Sequence, residues 1–404
     1  MSTSFVYHAF GLHGYDYVSQ KFERGKIIMK IRPKARLIRC PVCNSQRVIR
    51  RGVFLRQLRS VPIGNKPVWI HVDVPRLQCC ECNCTRRINL VIADARRSYT
   101  RAFARYVIDL AKVMTLLDVS KFLRIGWDCV KEILKNHLRK RFSNPKLRHV
   151  RYLAIDEIYV GKRQKYLTIV MDQERGVIIF VGDGKGADAL KEFWSRLSRS
   201  RAKILAVATD MGQAYISAVL DHLPGVPLVF DPFHVVKLMN EALTNIRRDL
   251  HRELQDVMHK DVLKGTRWIL LKNPENLSSE RNEYARLHEA LKLNEPLATA
   301  YYMKEELRQF WRQSDKRTTE IAINSWVSRA LSSGIRDLIR VGKTVASLRY
   351  GILNWYDHPI SSGRMEGTNN KIKVLKRSAY GYRDMEFFKL RILAIHEAKY
   401  ALTG

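Results

Sequence analysis

The chain has 404 residues, enough for two or three domains, and its 72 lysines and arginines against 39 acidic residues give a formal net charge of +33. Such an excess favours a polyanionic partner, above all nucleic acid, over an unspecialised basic surface. No apolar run approaches the roughly 20 residues of a membrane span and MSTSFVYHAF is no signal peptide, so we expect a cytoplasmic protein with no membrane partner and with reduced cysteines.

Residues 1–95 are predicted to form a β-rich zinc ribbon. Six of the seven cysteines fall in two clusters: Cys40 and Cys43, then Cys79, Cys80, Cys82 and Cys84. A CxxC pair from each cluster would supply the four thiolates of a tetrahedral Zn²⁺ site, although buried cysteines without metal are the alternative. Cys79 with Cys82 has the standard spacing and Cys79 with Cys84 a longer one, so two of these three complete the site. The alternating runs KIIMKI and VWIHVDV predict strands before each cluster.

The same segment is rich in arginine. Its guanidinium groups are expected to contact DNA phosphate. The candidates are Arg47, Arg50, Arg51, Arg56, Arg59, Arg76, Arg86 and Arg87.

Residues 96–149 have helical periodicity in three pieces. The third piece carries a buried stripe of Val130, Ile133, Leu134 and Leu138, and a tight turn at Ile125-Gly126 precedes it. A short helix, a glycine-bearing turn and a basic helix form the layout of a helix-turn-helix. Three-helix bundles without DNA affinity have the same spacing, but the charge favours DNA binding. The residues expected at the DNA are Arg124, Trp127, Lys131 and Lys135.

Residues 150–235 are predicted to form a mixed sheet. The runs VRYLAIDEIYV, YLTIVMD and VIIFV, separated by turns with Gly161 and Gly176, indicate three antiparallel strands. A helix, the strand KILAVATD, another helix and the strand VPLVFD follow. This β-β-β-α-β-α-β order is the ribonuclease H-like arrangement, in which the first strand lies mid-sheet beside the first crossover strand.

Two acids of this sheet are candidate metal ligands. Asp156 lies in the middle of an apolar strand, where a carboxylate is costly unless something pairs with it. Asp210 ends the neighbouring strand, so the two should meet, although Asp210 could instead be a helix N-cap. Asp172 and Asp231 also close strands, and we interpret both as turn or cap residues.

The remaining chain is predicted to be helical, with an insertion domain over residues 236–358 and C-terminal helices of the core over residues 359–404. Pro359, Ser362 and Gly363 mark the start of a helix. One stripe of it carries a carboxylate, an amide and two cations: Glu366, Asn370, Lys373 and Arg377. The alternative is a solvated stripe, but packing of the opposite apolar face would bring Glu366 to Asp156 and Asp210. The side chains expected along the DNA are Asn370, Lys371, Lys373, Lys376 and Arg377.

Three carboxylates around such a sheet can hold two divalent cations about 4 Å apart for phosphoryl transfer. Oxygen ligands suit Mg²⁺ or Mn²⁺ rather than zinc. The sequence thus predicts an α/β multidomain protein with a zinc ribbon, a helix-turn-helix and a ribonuclease H-like catalytic core that carries an all-α insertion.

Four blocks of the chain resemble the signatures of one protein family: LAIDEIYVGKRQKYLTIVMD, VATDMGQAYISAV, FDPFHVVKLMNEAL and SGRMEGTNNKIKVLKRSAYGYRD. They are similar to bacterial insertion-sequence transposases of the DDE class, of the ISL type. The resemblance implies Asp156, Asp210 and Glu366 as a catalytic triad and His234 as an active-site neighbour. It also implies binding of terminal inverted repeats and target DNA, strand cleavage and transfer, a dimer or higher oligomer in the synaptic complex, and a nucleoid-associated location.

Two other functions fit parts of the pattern. A ribonuclease H-like nuclease would cut DNA without joining it, but it would not need a sequence-reading helix-turn-helix. A DNA-binding regulator or domesticated transposase would bind repeat ends without cutting them, a reading that the three acids disfavour.

Overall fold

The computed structural model describes residues 5–161, 166–253, 262–264, 266–292, 294–361 and 363–397. These residues form two compact units. The first unit lies within residues 1–143, 378–391 and 397–404, and the second within residues 144–377 and 392–396. Residues 378–391 group with the N-terminal part of the chain in the first unit.

The first unit begins with helix α1 and a five-stranded sheet. The elements are α1 (Phe5–Phe10), β1 (Tyr15–Glu23), β2 (Lys26–Pro33), β3 (Val48–Ile63), β4 (Lys66–Cys79) and β5 (Thr85–Arg87). The strand order is β1-β2-β4-β3, and β5 pairs with β4. β4 is half apolar because alternate side chains enter the core, where Ile70 and Val72 are fully buried. The strands predicted around KIIMKI and VWIHVDV are therefore confirmed.

Three helices follow in the first unit: α2 (Arg101–Val113), α3 (Leu116–Leu123) and α4 (Trp127–Phe142). Threonine side chains begin the first two, since Thr100 Oγ1 accepts from the Phe103 N–H at 3.1 Å and Thr115 Oγ1 from the Asp118 N–H at 3.1 Å. The predicted stripe of α4 is buried. The helix-turn-helix arrangement expected from the periodicity is thus present.

The turn between α3 and α4 differs from the expected glycine turn. The left-handed residue is Arg124, with φ 52°, whereas Gly126 has φ −61° and precedes α4. The guanidinium of Arg59, only 9% exposed, donates to the Leu123 carbonyl at 3.1 Å and satisfies the end of α3. Arg59 therefore holds this turn, and its predicted role as a phosphate contact is wrong because its side chain is buried.

The second unit is built on a five-stranded mixed sheet of order β10-β9-β6-β7-β8. The strands are β6 (Tyr152–Tyr159), β7 (Tyr166–Asp172), β8 (Val177–Asp183), β9 (Ala206–Thr209) and β10 (Leu228–Phe230). β6, β7 and β8 are antiparallel neighbours, while β9 runs parallel to β6 and β10 parallel to β9. This is the predicted ribonuclease H-like arrangement, with the first strand of the unit in the centre of the sheet.

Helices α5 (Lys191–Ser200) and α6 (Gln213–His222) connect these strands. Phe193 and Tyr215 from the two helices share a buried cluster with Leu153, Ile155 and Val207 of the sheet. Because side chains alternate along a strand, Asp156 projects to the face opposite this cluster.

A helical region follows β10, as predicted for the insertion. It comprises α7 (Pro232–Glu253), α8 (Arg267–Leu271), α9 (Glu283–Lys292), α10 (Glu295–Arg308), α11 (Lys316–Ser332) and α12 (Arg336–Asp357). Trp326 is fully buried at its centre and donates to the Met303 carbonyl at 2.8 Å. Trp268, by contrast, is 67% exposed.

Two helices end the described chain: α13 (Gly363–Ser378) and α14 (Met385–Leu393). The predicted start of α13 is confirmed at Gly363, and Ser362 lies outside the described residues. Asp384 precedes α14 and caps it, because its Oδ1 accepts from the Phe387 N–H at 3.0 Å. In the part of the chain that the structure describes, no helix has the length and apolar character to cross a bilayer.

Candidate functional site

The centre of the candidate site is Asp156 on β6. Its Oδ1 accepts from the Glu157 N–H at 2.7 Å, and its Oδ2 accepts from Asn369 Nδ2 at 2.7 Å. Burial raises the pKa of Asp156, and the nearby charge of Asp210 raises it further, against lowering effects of the Glu157 N–H, His234 and Asn369. The carboxylate is therefore held by two donors in a setting that penalises its charge.

Asp210 directly follows β9, the parallel neighbour of β6. The register pairs Ile155 with Thr209, so Asp156, in the middle of β6, and Asp210, just beyond β9, are each the next residue after the last pair between these adjacent strands. Asp210 Oδ1 accepts from the Gly212 N–H at 3.0 Å, and a Cβ on Gly212 would lie 2.9 Å from that oxygen. A side chain at Gly212 would therefore require the Asp210 carboxylate to shift. Gly212, rather than Asp210, is the N-cap residue of α6.

His234 lies in the first turn of α7. Asp231 Oδ1 accepts from the Phe233 N–H at 2.7 Å, so Asp231 caps the helix, as predicted. Asp172 is likewise confirmed as a turn residue, because its Oδ1 accepts from the Glu174 N–H at 3.1 Å. His234 is close enough to Asp156 to act on its pKa. The first turn of α7 thus brings an imidazole near Asp156.

Helix α13 reaches the site through a residue that the sequence analysis did not select. Asn369, 8% exposed, makes the bond to Asp156, whereas Glu366, one turn earlier, is exposed. Among the described residues, only cysteines bring three or more potential ligand atoms within 4.8 Å of one another, so the three predicted acids are not gathered that closely. The sequence feature that could have indicated Asn369 is its spacing of three residues from Glu366, because residues at this spacing are neighbours on the surface of a helix.

Bonds at its N-terminus anchor α13 to the sheet. Arg364 Nη1 donates to the Gln173 carbonyl at 2.7 Å, and Gln173 Nε2 donates to the Ser361 carbonyl at 3.1 Å. Beyond this anchor the helix presents an exposed polar stripe. The predicted DNA-contacting residues that are exposed on it are Asn370, Lys371, Lys373 and Arg377, and Lys376 is half-buried.

The helix-turn-helix residues divide into two groups. Arg124 is exposed and Trp127 is 43% exposed. The structure places Lys131 and Lys135 in ion pairs instead, since both Nζ atoms lie 2.9 Å from Asp384 Oδ2. Lys135 also lies 2.8 Å from Glu386 and Arg139 2.6 Å from the same carboxylate. Both lysines that were expected at the DNA are therefore engaged in ion pairs with Asp384 or Glu386 in this structure.

The cysteine cluster of the first unit gathers the thiols of Cys40, Cys43, Cys79 and Cys82 within 4.8 Å. Cys40 Sγ is 3.5 Å from Cys82 Sγ, and Cys43 Sγ is 3.5 Å from Cys79 Sγ. The N–H groups of Cys43 and Val42 lower the pKa of Cys40 to about 6, which favours the thiolate that zinc binds.

Cys84 is a fifth thiol of this cluster. Its Sγ lies 3.4 Å from Cys40 Sγ and 3.3 Å from Cys82 Sγ. Cys80, in contrast, is exposed. A tetrahedral zinc takes four ligands, so one thiol of the five is in excess.

Models of known protein families match three successive parts of the chain. An ISL3 model described as a transposase matches residues 153–392, a zinc-finger of transposase IS204/IS1001/IS1096/IS1165 matches residues 36–82, and a helix-turn-helix domain of transposase family ISL3 matches residues 90–138. The zinc-finger match includes the four gathered cysteines and ends before Cys84, and together with the cluster it supports a structural Zn²⁺.

Individual proteins match as well. The chain is 33% identical over 367 residues to the transposase for insertion sequence element IS1001 of Bordetella parapertussis, with 90% of each chain covered. It is 28% identical over 386 residues to the transposase for insertion sequence element IS1557 of Mycobacterium tuberculosis, with 89% of this chain and 86% of that one covered. A solved structure, the Drosophila P element transposase strand transfer complex, matches 75% of this chain and 93% of its own at 12% identity and a TM-score of 0.39.

Proposed function

Because this chain belongs to the ISL3 family of insertion-sequence transposases, we propose that it binds the terminal inverted repeats of its element and catalyses metal-dependent DNA strand cleavage and strand transfer. The observation that carries the proposal is that Asp156 and Asp210 directly follow the last residue pair between the adjacent strands β6 and β9. Their charges act on each other, and a cation between them would relieve that repulsion.

Asp156, Asp210 and Glu366 are the proposed ligands of two Mg²⁺ or Mn²⁺ ions. The donor chemistry fits, since carboxylate oxygens are preferred by these hard cations. When bound, such ions activate an attacking water or 3′-hydroxyl and stabilise the leaving oxygen. A positive charge on His234 would favour the ionised form of Asp156, and Glu366, exposed on the first turn of α13, would complete the ligand set when DNA is bound.

DNA binding is divided between two surfaces in this proposal. Arg124, Trp127, Lys131 and Lys135 would bind the terminal repeats, and the stripe of α13 that begins at Asn370 would follow the backbone of the reacting strands. Two transposon ends must meet for strand transfer, so we propose a dimer or higher oligomer in the synaptic complex and a location at the nucleoid.

The test is a cleavage and strand-transfer assay on labelled repeat-end DNA with Mg²⁺. Asp156→Asn should reduce strand cleavage on the order of 10³-fold because a metal ligand is lost. Asp221→Asn, which removes an exposed carboxylate of α6, should leave the rate unchanged.

Three outcomes would contradict the proposal in different ways. Full activity of Asp156→Asn would remove the assigned site. Binding of repeat ends without cutting, by the unmodified chain, would indicate a regulator or domesticated transposase. Cutting without joining to a target would indicate a nuclease.

A further inference from the structure

The contact between Asn369 and Asp156 joins helix α13 to the central strand of the sheet. Asn369 Nδ2 donates to Asp156 Oδ2 at 2.7 Å, and 213 residues of chain separate the partners. The side chain is 8% exposed, and its Oδ1 is buried without a hydrogen-bond partner among the described residues. An amide is thus kept inside the protein with its carbonyl oxygen unpaired.

Packing alone does not account for an asparagine here. The neighbouring buried positions on the same helix include Met365 and Ile372, and a leucine would fill similar space without leaving a polar atom unpaired. The amide has one chemical property that leucine lacks, which is the N–H that holds the Asp156 carboxylate. With the Glu157 N–H on the other oxygen, this bond fixes the carboxylate plane and leaves lone pairs on both oxygens.

The bond also fixes the helix. Glu366 and Asn369 are three residues apart on α13, about 4.5 Å along the axis and on adjacent sides of one helical face. A bond from Asn369 to the sheet therefore limits both the rotation and the sliding of the turn that carries Glu366. The anchor from Arg364 to Gln173 lies at the start of the same helix.

We propose that Asn369 is a positioning residue of the transposase site. It orients Asp156 toward the cation and sets the register of the helix that brings Glu366. This inference rests on the proposed function, because it assumes that Asp156 is a metal ligand.

The experiment measures binding of Mn²⁺ to the zinc-loaded full chain without DNA. Bound Mn²⁺ is followed by the loss of the electron paramagnetic resonance signal of free Mn²⁺. Zinc stays in the cysteine site because Zn²⁺ binds such ligands more tightly than Mn²⁺. Asn369→Ala should weaken Mn²⁺ binding about 10- to 100-fold, as loss of a residue that orients a ligand does. Asn369→Leu, which fills the space but cannot donate, should weaken it to the same extent and protects the test against misfolding of the alanine variant.

Asn354→Ala is the matched control. Asn354 Nδ2 donates to the Leu228 carbonyl at 2.9 Å and ties α12 to β10 of the same sheet. A purely structural role for Asn369 predicts that both alanine variants lower the melting temperature and that both bind Mn²⁺ like the unmodified chain. That result would overturn the inference.

A third variant separates this inference from the proposed function. If Asp156→Asn abolishes Mn²⁺ binding while Asn369→Ala and Asn369→Leu leave it unchanged, the inference fails and the proposed function stands. If Asp156→Asn itself binds Mn²⁺ like the unmodified chain, the proposed function fails.

Discussion

At the residue scale, Asp156 combines an unfavourable environment for its charge with hydrogen bonds that fix its carboxylate. Asp156 is buried beside another carboxylate, which is unfavourable for folding without a cation. Its two oxygens nevertheless each have a donor at 2.7 Å. In the proposed site, such a charge would contribute to metal binding at some expense of stability.

We therefore expect Asp156→Asn to raise the melting temperature at pH 7 in buffer without Mg²⁺, by roughly 2–4 °C, the shift that about 1 kcal/mol produces in a domain of this size. Burial raises the pKa of Asp156 above that of the unfolded chain, so the charge destabilises the fold above the folded pKa. As the pH falls, the proton binds the folded state first and the destabilisation disappears. The gain should accordingly shrink toward pH 4, as followed by thermal melts.

Asp221→Asn provides the baseline for these melts, because its carboxylate is exposed. Equal melting temperatures of Asp156→Asn and the unmodified chain throughout this pH range would show that burial of Asp156 carries no such cost.

The fifth thiol gives a second prediction at this scale. The CxxC spacing of Cys79 and Cys82 and their place in the gathered set favour Cys82 over Cys84 as the zinc ligand. Cys82→Ser should lose bound zinc on dialysis, whereas Cys84→Ser should retain it, as measured by elemental analysis. Cys80→Ser, at an exposed thiol, is the control. Retention by Cys82→Ser with loss in Cys84→Ser would assign the longer spacing instead.

At the scale of elements, the basic side chains along α4 form ion pairs with a segment that is distant in the sequence. Lys131, Lys135 and Arg139 are spaced four residues apart and present one cationic edge. Asp384 and Glu386, at the start of α14, pair with all three. Hydrogen bonds from Lys135 and Arg139 lower the pKa of Glu386, so these pairs persist at neutral pH.

Removal of the two acids should free this edge for phosphate. The double variant Asp384→Asn with Glu386→Gln should bind duplex DNA more tightly at low salt. The slope of log K against log salt should steepen by about 3, roughly one counterion for each of the three cations released. Fluorescence anisotropy across a salt series measures both quantities.

The matched control for this variant is Glu306→Gln with Asp357→Asn. Those acids pair with Arg329 and Lys316 in the helical region, and their loss makes the same change in net charge. An equal effect from both double variants would attribute the gain to net charge alone and leave the α4 pairs without a role in DNA binding.

At the scale of the whole molecule, the dominant property is the formal charge of +33. Many of its cations are already used in ion pairs, yet acids number only 39 against 72 cations. The helix-turn-helix match and the family of the chain agree with a polyanionic partner.

Non-specific duplex binding should accordingly depend strongly on salt. We expect the association constant to fall on the order of 10³-fold between about 50 mM and 200 mM salt, as for a protein with about six phosphate contacts. Anisotropy titrations with DNA that lacks the repeat sequence measure this. A change below about tenfold would mean that few cations reach phosphate.

The sequence by itself determined the elements that depend on local physics. Alternation and helical periodicity specify β2, β4, β6 and the buried stripe of α4, and the CxxC pairs specify the zinc site, because these signals come from residues close together in the chain. The strand order followed from general rules of chain connection. The four motif blocks were sufficient for the family, which the family matches confirm.

Only the tertiary structure decided which side chains meet. Glu366 and Asn369 lie on adjacent sides of one helix, and a small rotation of that helix decides which of them touches Asp156. Periodicity does not specify that rotation, because it depends on packing against the sheet. The partner of Lys135, Asp384, stands 249 residues away, and the buried Arg59 that donates to the Leu123 carbonyl beside the left-handed Arg124 is 64 residues from Leu123. Long-range contacts of this kind leave no period in the sequence.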